Sequence, residues 1–255
     1  MSATGLLFLV VCLTALGQPK SGLRTPETLS PAEAEKQGRA LVAELLAQHP
    51  EKNSTNIGVM RIRDTKSNQR EVPVRFAVIS QSAAWLNTYD SSPVGSVPAE
   101  KLTILHSDTQ PNQYTVARVS PGNADSSASR QLSGNQTMVP FAGSDFWVAD
   151  LGLEFLHWPK QLLLKKEMRR SRSCNVLDSI NPQPVAGGYS RVRCWLDIES
   201  GGIVMAEAYD AQDKLLKEFA PKEIKKIEGE WQLEEMEIRN VQAGSRTRVI
   251  FDLGH

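Results

Sequence analysis

The residues best suited to chemistry lie in the most apolar stretch of the chain, residues 141–158, which reads FAGSDFWVADLGLEFLHW. Ser144, Asp145 and His157 are residue types that could supply a nucleophile, an orienting acid and a general base for hydrolysis. The local Gly-Ser-Asp sequence does not match the G-x-S-x-G turn that exposes a catalytic serine. It is typical of a helix start, because Ser caps helices and acids favour the positive end of the helix dipole. We therefore predict no catalytic residue here and no enzyme, and a secreted hydrolase is the weakest hypothesis.

The same stretch is predicted to form a helix. Phe146, Trp147, Leu151 and Phe155 are spaced so that they lie roughly on one side of a helix. That side should pack over a sheet. A lid helix above a cavity is the functional interpretation, and a plain core helix is the alternative.

The remaining reactive side chains form no metal or cofactor motif. The four histidines are scattered, and the sequence has no H-E-x-x-H and no paired C-x-x-C. We therefore predict no metal site and no cofactor.

A disulfide is expected between Cys174 and Cys194. The turn-rich stretch 181–188 lies between them and suggests a hairpin in which Val176 faces Val192 and the two cysteines face each other. Directly opposed residues are close enough for a disulfide. Two buried free thiols are the alternative.

A basic run lies on a predicted strand. It is interpreted as a solvated strand face, or alternatively as a docking patch for phospholipid headgroups or an acidic partner. The run comprises Lys165, Lys166, Arg169, Arg170 and Arg172.

Composition limits the function classes. The chain has 255 residues with 29 basic and 29 acidic side chains, and this neutrality argues against a nucleic-acid binder. Residues 1–17 resemble a signal peptide whose apolar run is too short to span a bilayer. We predict a flexible leader over 18–29 and a single domain over 30–255.

The elements follow from local patterns. Ser30 and Glu33, around Pro31, are typical of a capped helix start. After Pro50 the pattern changes to period two, with turn residues between short strands. This predicts an antiparallel meander of about ten to eleven strands, a number that normally curls or closes. The predicted strands include 161–178, 214–220 and 223–229. Several strands are apolar on both faces, which indicates either helices packed on one side or a concave face that lines a cavity.

A set of short motifs in residues 135–253 resembles the bacterial outer-membrane lipoprotein-sorting proteins, the LolA-like periplasmic carriers. The motifs are the Gly-Ser-Asp-Phe stretch above, Tyr-Ser-Arg-Val-Arg-x-Trp-x-Asp at 189–197, Ala-Tyr-Asp at 208–210, Lys-Leu-Leu-Lys at 214–217 and Gly-Ser-Arg-Thr at 244–247. The resemblance implies a half-open antiparallel β-barrel, mainly β with a few helices that cover the concave face. It also implies a non-enzymatic carrier of acyl chains.

The leading hypothesis is a periplasmic, monomeric carrier of lipid or lipoprotein acyl chains. Its implied partners are an inner-membrane exporter and an outer-membrane acceptor, with no nucleic acid. The alternative is a periplasmic sensor or regulatory module on the same fold that binds a protein partner. The residues predicted to line the cavity or lid are Phe76, Val78, Trp85, Leu102, Ile104, Trp147, Leu151, Phe155, Met205 and Trp231.

Overall fold

The computed structural model describes residues 29–81, 84–107, 110–119, 128–227 and 230–253. The predicted signal peptide and all but the last residue of the predicted leader lie outside these ranges. Within them the chain forms two α-helices, two 3₁₀ helices and thirteen β-strands. The fold is mainly β, as predicted, but it has more strands than the ten to eleven expected. No helix in the described part of the chain is both long enough and apolar enough to cross a membrane.

The helices are short except for the first. They are α1 (Pro31–Leu46) and α2 (Val148–Leu151), with 3₁₀ helices at Gly134–Thr137 and Glu154–His157. The strands are β1 (Ser54–Arg63), β2 (Gln69–Ser80), β3 (Ala84–Ser91), β4 (Ala99–Ser107), β5 (Gln113–Val119), β6 (Ala128–Leu132), β7 (Lys160–Arg169), β8 (Arg172–Ile180), β9 (Arg191–Asp197), β10 (Ile203–Tyr209), β11 (Leu215–Ile227), β12 (Glu230–Asn240) and β13 (Ser245–Asp252).

All thirteen strands belong to one antiparallel sheet, in the order β6-β5-β4-β3-β2-β1-β13-β12-β11-β10-β9-β8-β7. Every neighbouring pair is consecutive in the chain except β1 and β13, which meet at the centre. The chain therefore runs from the centre to the β6 edge, crosses to the β7 edge and returns to the centre.

The sheet is strongly curved. Trp85 of β3 and Ile203 of β10 line the same pocket, although five strands lie between β3 and β10 in the sheet order. Large open sheets curl in this way because the twist of each strand pair accumulates. The two edge strands, β6 and β7, do not pair with each other in the described residues. The sheet is thus an open, curved antiparallel sheet with a concave face.

Helix α1 begins as the sequence predicts. The Ser30 hydroxyl accepts a hydrogen bond from the Glu33 N–H at 3.3 Å, and Pro31 is the first helical residue. The helix packs on β7. A Cβ at Gly38 would lie 2.4 Å from the Gln161 carbonyl oxygen, so only glycine permits this close approach.

Two strand predictions are corrected by turns and bulges. The predicted strand 161–178 is a hairpin, because Arg170 and Ser171 both adopt positive φ, 49° and 62°, as a two-residue type I′ turn requires. The two predicted strands 214–220 and 223–229 are one strand, β11, whose register shifts after Pro221. A bulge accommodates the proline, which cannot donate to the ladder.

The predicted disulfide is wrong. Cys174 and Cys194 are both free and buried. In the observed register Cys174 pairs with Asp197, and Cys194 pairs with Leu177. This register differs from the predicted one by an odd number of residues, which places the two side chains on opposite faces of the sheet. Cys194 belongs to the main core and Cys174 to a small cluster with Val176 and Trp195.

Candidate functional site

The concave face is covered by residues 138–158, which we call the cover segment. It is not the single helix that the sequence suggested. Helix α2 has only four residues, Leu153 adopts a left-handed conformation at φ 48°, and a 3₁₀ helix follows. A left-handed non-glycine residue cannot continue a right-handed helix. Ser144 is not the cap, because α2 starts after Trp147, whose N–H donates to Asp150 Oδ2 at 2.7 Å.

Side chains of the sheet hold the cover segment through its backbone carbonyls. An irregular buried segment must satisfy its backbone polar groups outside regular ladders, and here donors from both halves of the sheet do so. The donors and acceptors are Arg70 to Ala142 and Gly143 (3.0 and 2.6 Å), Tyr89 to Leu151 (2.9 Å), Asn112 to Gly152 (2.9 Å), Gln161 to Phe155 and Trp158 (2.9 and 2.8 Å), and Lys217 to Asp145 (2.7 Å).

Lys217 is the most buried charge in this arrangement, with a side chain only 2% exposed. Its Nζ lies 3.5 Å from Asp150 Oδ2 and 3.5 Å from the ring centroid of Trp147. Asp150 also accepts a hydrogen bond from the Tyr189 hydroxyl at 2.8 Å. Tyr189 in turn stacks on Trp147 with ring centroids 4.6 Å apart. The Lys217 cation, the Asp150 carboxylate and the Trp147 and Tyr189 side chains are therefore interaction partners of one another.

Burial changes the proton affinity of these groups. Loss of solvation lowers the pKa of Lys217 to about 8, although Asp150 and Asp145 act in the opposite direction. Loss of solvation, together with the charge of Asp150, raises the pKa of Tyr189 well above its ordinary value. At neutral pH the site holds a lysine cation and a neutral tyrosine.

A pocket lies beside this cluster, and we call it the lysine pocket. It contains about 460 Å³ of empty space, counting the part open to solvent. Its walls are mainly apolar. The lining residues from the sheet are Tyr189, Val192, Ile203, Ala206, Ala208, Lys217, Phe219 and Ile238, and those from the cover segment are Phe146, Asp150, Leu153 and Phe155.

A second pocket adjoins the first, and we call it the asparagine pocket. It contains about 740 Å³ of empty space on the same measure. Asp150, Leu153 and Ile203 line both pockets, so the two are neighbours separated by these side chains. The other lining residues are Leu45, Leu46 and Gln48 at the end of α1, Trp85, Asn87, Tyr89 and His106 on β3 and β4, Leu151, Gly152, Leu156 and His157 of the cover segment, and Leu196 and Gly201 near the β9–β10 turn.

The two histidines of the asparagine pocket are neutral at physiological pH. Burial, aided by the nearby His157, lowers the pKa of His106 to about 4. Burial also lowers the pKa of His157. His106 stacks on Trp85 with ring centroids 4.8 Å apart. The pocket is therefore apolar over most of its wall, with a group of uncharged polar side chains at one end.

Comparison with known proteins places the chain in a family. A family model described as an uncharacterized protein matches residues 124–253, which is half of the chain. The chain belongs to this family. No curated protein matches it in sequence. The matched part includes the cover segment and strands β7 to β13, so the lysine pocket lies wholly within the family region.

Solved structures match nearly the whole chain. A putative outer membrane lipoprotein-sorting protein domain from Vibrio parahaemolyticus is 19% identical, with a TM-score of 0.67 over 87% of this chain and 94% of that one. A DUF1329 family protein from Desulfovibrio piger is 18% identical, with a TM-score of 0.66 over 86% and 92%. A LolA superfamily protein from Nitrosomonas europaea is 15% identical, with a TM-score of 0.55 over 86% and 91%. The predicted resemblance is thus confirmed at the level of the fold.

Three residues predicted to form the cavity or lid line one of the two pockets in this family member. Phe155 lines the lysine pocket, and Trp85 and Leu151 line the asparagine pocket. Trp147 covers Lys217 beside the lysine pocket. Four others, Phe76, Val78, Leu102 and Ile104, are buried residues of the sheet that line neither pocket.

Met205 and Trp231 lie away from both pockets. The register of β10 shifts between Ile203 and Met205, and this bulge turns Met205 to the opposite face, where it packs near Trp195. Trp231 is 40% exposed. The structure therefore places neither residue on the cavity wall.

The predicted docking patch is largely neutralised by neighbouring groups. Lys165 pairs with Glu167, Arg169 with Glu207 and Arg172 with Asp197, at 2.5, 3.9 and 3.2 Å. Arg170 donates to the Pro221 carbonyl at 2.7 Å. Lys166 is exposed. Most of the basic side chains in this run therefore have partners within the molecule, on the strand face or at the turn.

The residues first considered for hydrolysis are not assembled into a catalytic group. Ser144 exchanges hydrogen bonds with the backbone of Phe146. The Asp145 carboxylate accepts from Ser245 and Thr247 at 2.5 and 2.9 Å, whereas His157 lines the asparagine pocket. Within the described ranges, no hydrogen bond joins His157 to Ser144 or Asp145.

Sequence reasoning missed the polar residues of both pockets. Lys217 and Asn87 are the main examples, and each lies on a strand among large apolar residues. For Asn87 the signal was present, because the alternation Trp85, Asn87, Tyr89 places one amide on an otherwise aromatic strand face. A buried polar residue on such a face is more informative than the apolar residues around it.

Proposed function

We propose that this protein binds acyl chains of lipids or lipoproteins beneath the cover segment and carries them through the periplasm. The observation that carries this proposal is the pair of adjoining, mainly apolar pockets between a curved sheet and an irregular segment. Apolar burial contributes about 0.8 kcal/mol per methylene group, so apolar walls alone can hold a chain. Binding, rather than catalysis, is the function that this arrangement supports.

The fold neighbours support the cellular context. One of them is described as an outer membrane lipoprotein-sorting protein domain, and residues 1–17 have the pattern of a signal peptide. We propose a periplasmic monomer that moves its cargo toward the outer membrane. An inner-membrane exporter would load it and an outer-membrane acceptor would unload it.

The construction of the cover segment supports a carrier that must also release its cargo. Side-chain donors from the sheet fasten this segment, so it can shift without breaking strand pairing in the sheet. Segments with few regular backbone ladders open at lower free energy than core strands. Opening would expose both pockets at once, because Asp150 and Leu153 of the cover segment line both.

Lipid extraction and native mass spectrometry of the protein purified from its own periplasm test the proposal. We expect co-purified lipid and uptake of the neutral fluorophore N-phenyl-1-naphthylamine. Ala206→Phe and Ala208→Phe, which fill the lysine pocket, should weaken uptake, whereas Ala40→Phe on the exposed face of α1 should not.

Absence of both lipid and uptake would reject the carrier proposal. A stoichiometric protein partner bound while the pockets remain empty would favour the sensor or regulatory module instead.

A further inference from the structure

The side-chain oxygen of Asn87 lies in the asparagine pocket and has no hydrogen-bond partner among the described residues. Asn87 is only 5% exposed. A buried amide oxygen without a partner costs about 1–3 kcal/mol. Native proteins keep few such groups, and a ligand that brings a hydrogen-bond donor into this pocket would supply the missing partner.

The strand neighbours of Asn87 do not supply that partner. On the flanking strands Asn87 is paired with Val78 and Ile104. Both of these residues are apolar and buried. Trp85 and Tyr89 lie on either side along β3, on the same strand face. The oxygen is thus surrounded laterally by hydrocarbon and rings.

The hydrogen bond between Asn87 and Tyr89 fixes which amide atom remains available. The Tyr89 hydroxyl donates its proton to the Leu151 carbonyl at 2.9 Å, and it also hydrogen bonds with Asn87. Because the tyrosine proton is already used, Asn87 must donate its amide N–H to the hydroxyl oxygen. The unpartnered atom is therefore an acceptor, and its partner must be a donor.

The charge of the pocket limits the ligand further. Gln48 and the two histidines are uncharged at neutral pH, since burial lowers both histidine pKa values. The only acid in the lining, Asp150, is already bound by Tyr189 and Lys217. A free carboxylate at this end would meet no cation among the residues that line the pocket, so a neutral head is favoured.

We propose that the asparagine pocket selects acyl lipids whose chain begins at a neutral hydrogen-bond donor, an amide N–H or a hydroxyl, and that this group donates to Asn87 Oδ1. The proposal rests on the acyl-binding function above and specifies its ligand class. It predicts that the protein distinguishes chains of equal length by the group at their head.

Displacement of N-phenyl-1-naphthylamine by four ligands of equal chain length tests this. The ligands are 1-hexadecanol, N-methylhexadecanamide, methyl hexadecanoate and hexadecanoate. We expect the alcohol and the amide to displace the probe at concentrations about 5- to 10-fold lower than the ester, as one net hydrogen bond provides. Hexadecanoate should bind more weakly than the alcohol. A preference for only one of the two donors would identify the source of the hydrogen bond and would still support the proposal.

Asn87→Leu is the matched variant. It removes the acceptor, together with the amide N–H that donates to Tyr89, so the alcohol, amide and ester should bind within about twofold of each other while the ester still binds. Its unfolding temperature should be unchanged or higher, since the desolvated oxygen is gone. A purely structural role for Asn87 would lower that temperature and leave the ligand preference intact.

Two results would overturn the proposal while leaving the carrier function standing: a wild-type protein that binds alcohol, amide and ester equally, or an Asn87→Leu protein that keeps the preference. The wild-type series decides the question even if the variant does not fold. Failure of all four ligands to displace the probe would reject the acyl-binding function, and this inference with it.

Discussion

The two pockets under the cover segment share three residues but differ in how their polar groups are satisfied. In the lysine pocket, Lys217, Asp150 and Tyr189 are partners of one another. In the asparagine pocket, the oxygen of Asn87 has no partner in the described residues. The first set of polar groups connects the cover segment to the sheet. The oxygen of Asn87 in the asparagine pocket can still accept a hydrogen bond from a ligand.

This difference indicates separate roles for the two pockets, although both combine apolar walls with buried polar groups. A satisfied buried network rigidifies the structure around it, whereas an unsatisfied group is a cost that a ligand can remove. We infer that the lysine pocket determines how firmly the cover segment is held. The asparagine pocket determines which ligand is accepted.

Removing the shared acid should have the largest effect on stability. Asp150→Leu deprives the Lys217 cation, the Tyr189 hydroxyl and the Trp147 N–H of their common partner. Loss of one member of a buried charged pair costs about 3–5 kcal/mol, and urea unfolding should show a loss of this order. Asp90→Leu, which removes a surface pair with Lys101 at 3.7 Å, should cost no more than about 1 kcal/mol. Equal costs for the two variants would contradict the role assigned to the lysine pocket.

The charge of Lys217 should make stability depend on alkaline pH. Its pKa is about 8 in the folded protein against an ordinary 10.5, so between these values the unfolded chain binds more protons. Stability therefore rises with pH in this window. We expect the free energy of unfolding of the wild type, relative to Lys217→Met, to increase by about 2 kcal/mol between pH 8 and pH 10.

Denaturant unfolding of both proteins across this pH range measures the difference and cancels the titration of other groups. Ala40→Phe, which removes no titratable group, should show a constant difference from the wild type. A constant difference between the wild type and Lys217→Met across this pH range would show that the lysine is not desolvated as described.

Leu153 separates the two pockets, and replacing it should merge them. Leu153→Gly removes the dividing side chain and suits the left-handed backbone. Two additional buried methylenes contribute about 1.6 kcal/mol. We therefore expect the affinity for octadecanol relative to dodecanol to rise about 15-fold, measured by probe displacement.

Leu153→Ala is the control for backbone strain. It opens the same space but keeps a Cβ in the left-handed conformation, so it should be less stable than Leu153→Gly by about 1 kcal/mol. An unchanged chain-length preference in both variants would mean that the pockets do not act as one space.

The smallest effect is expected from Met205. Met205→Ala removes a side chain that packs on the opposite face of the sheet, so probe affinity should stay within about twofold of wild type, with a modest loss of stability. Ile203→Ala, on the same strand but lining both pockets, should weaken probe binding several-fold. A larger effect from Met205 than from Ile203 would contradict the position of the bulge.

Local sequence patterns predicted the elements that are determined locally. Ser30 and Pro31 start α1 as expected, and period-two runs with turn residues between them predicted the antiparallel meander. Apolar residues on both faces of several strands indicated either helices packed on one side of the sheet or a concave face that lines a cavity. Each of these features depends on a few neighbouring residues, which is why the sequence contains them.

Features that depend on distant contacts were predicted poorly. The register of β8 against β9 differs from the symmetrical hairpin, and this separated Cys174 from Cys194. A bulge reversed the side of Met205. The cover segment has helix-forming spacing, but its carbonyls bind side chains from several strands, and these bonds favour an irregular path. Register, bulges and tertiary hydrogen bonds are not encoded by spacing alone.

The pairing of the first strand with the last has a consequence for folding. Ile57 of β1 pairs with Asp252 of β13 at the centre of the sheet, about 195 residues apart in sequence. All other strand pairs are consecutive in the chain and can form as it emerges. The pairing of β1 with β13 can form only after the last strand is available. Contacts of such long sequence separation form slowly. Until then the chain consists of two separate half-sheets, each with an exposed inner edge strand that must be kept from pairing with other chains.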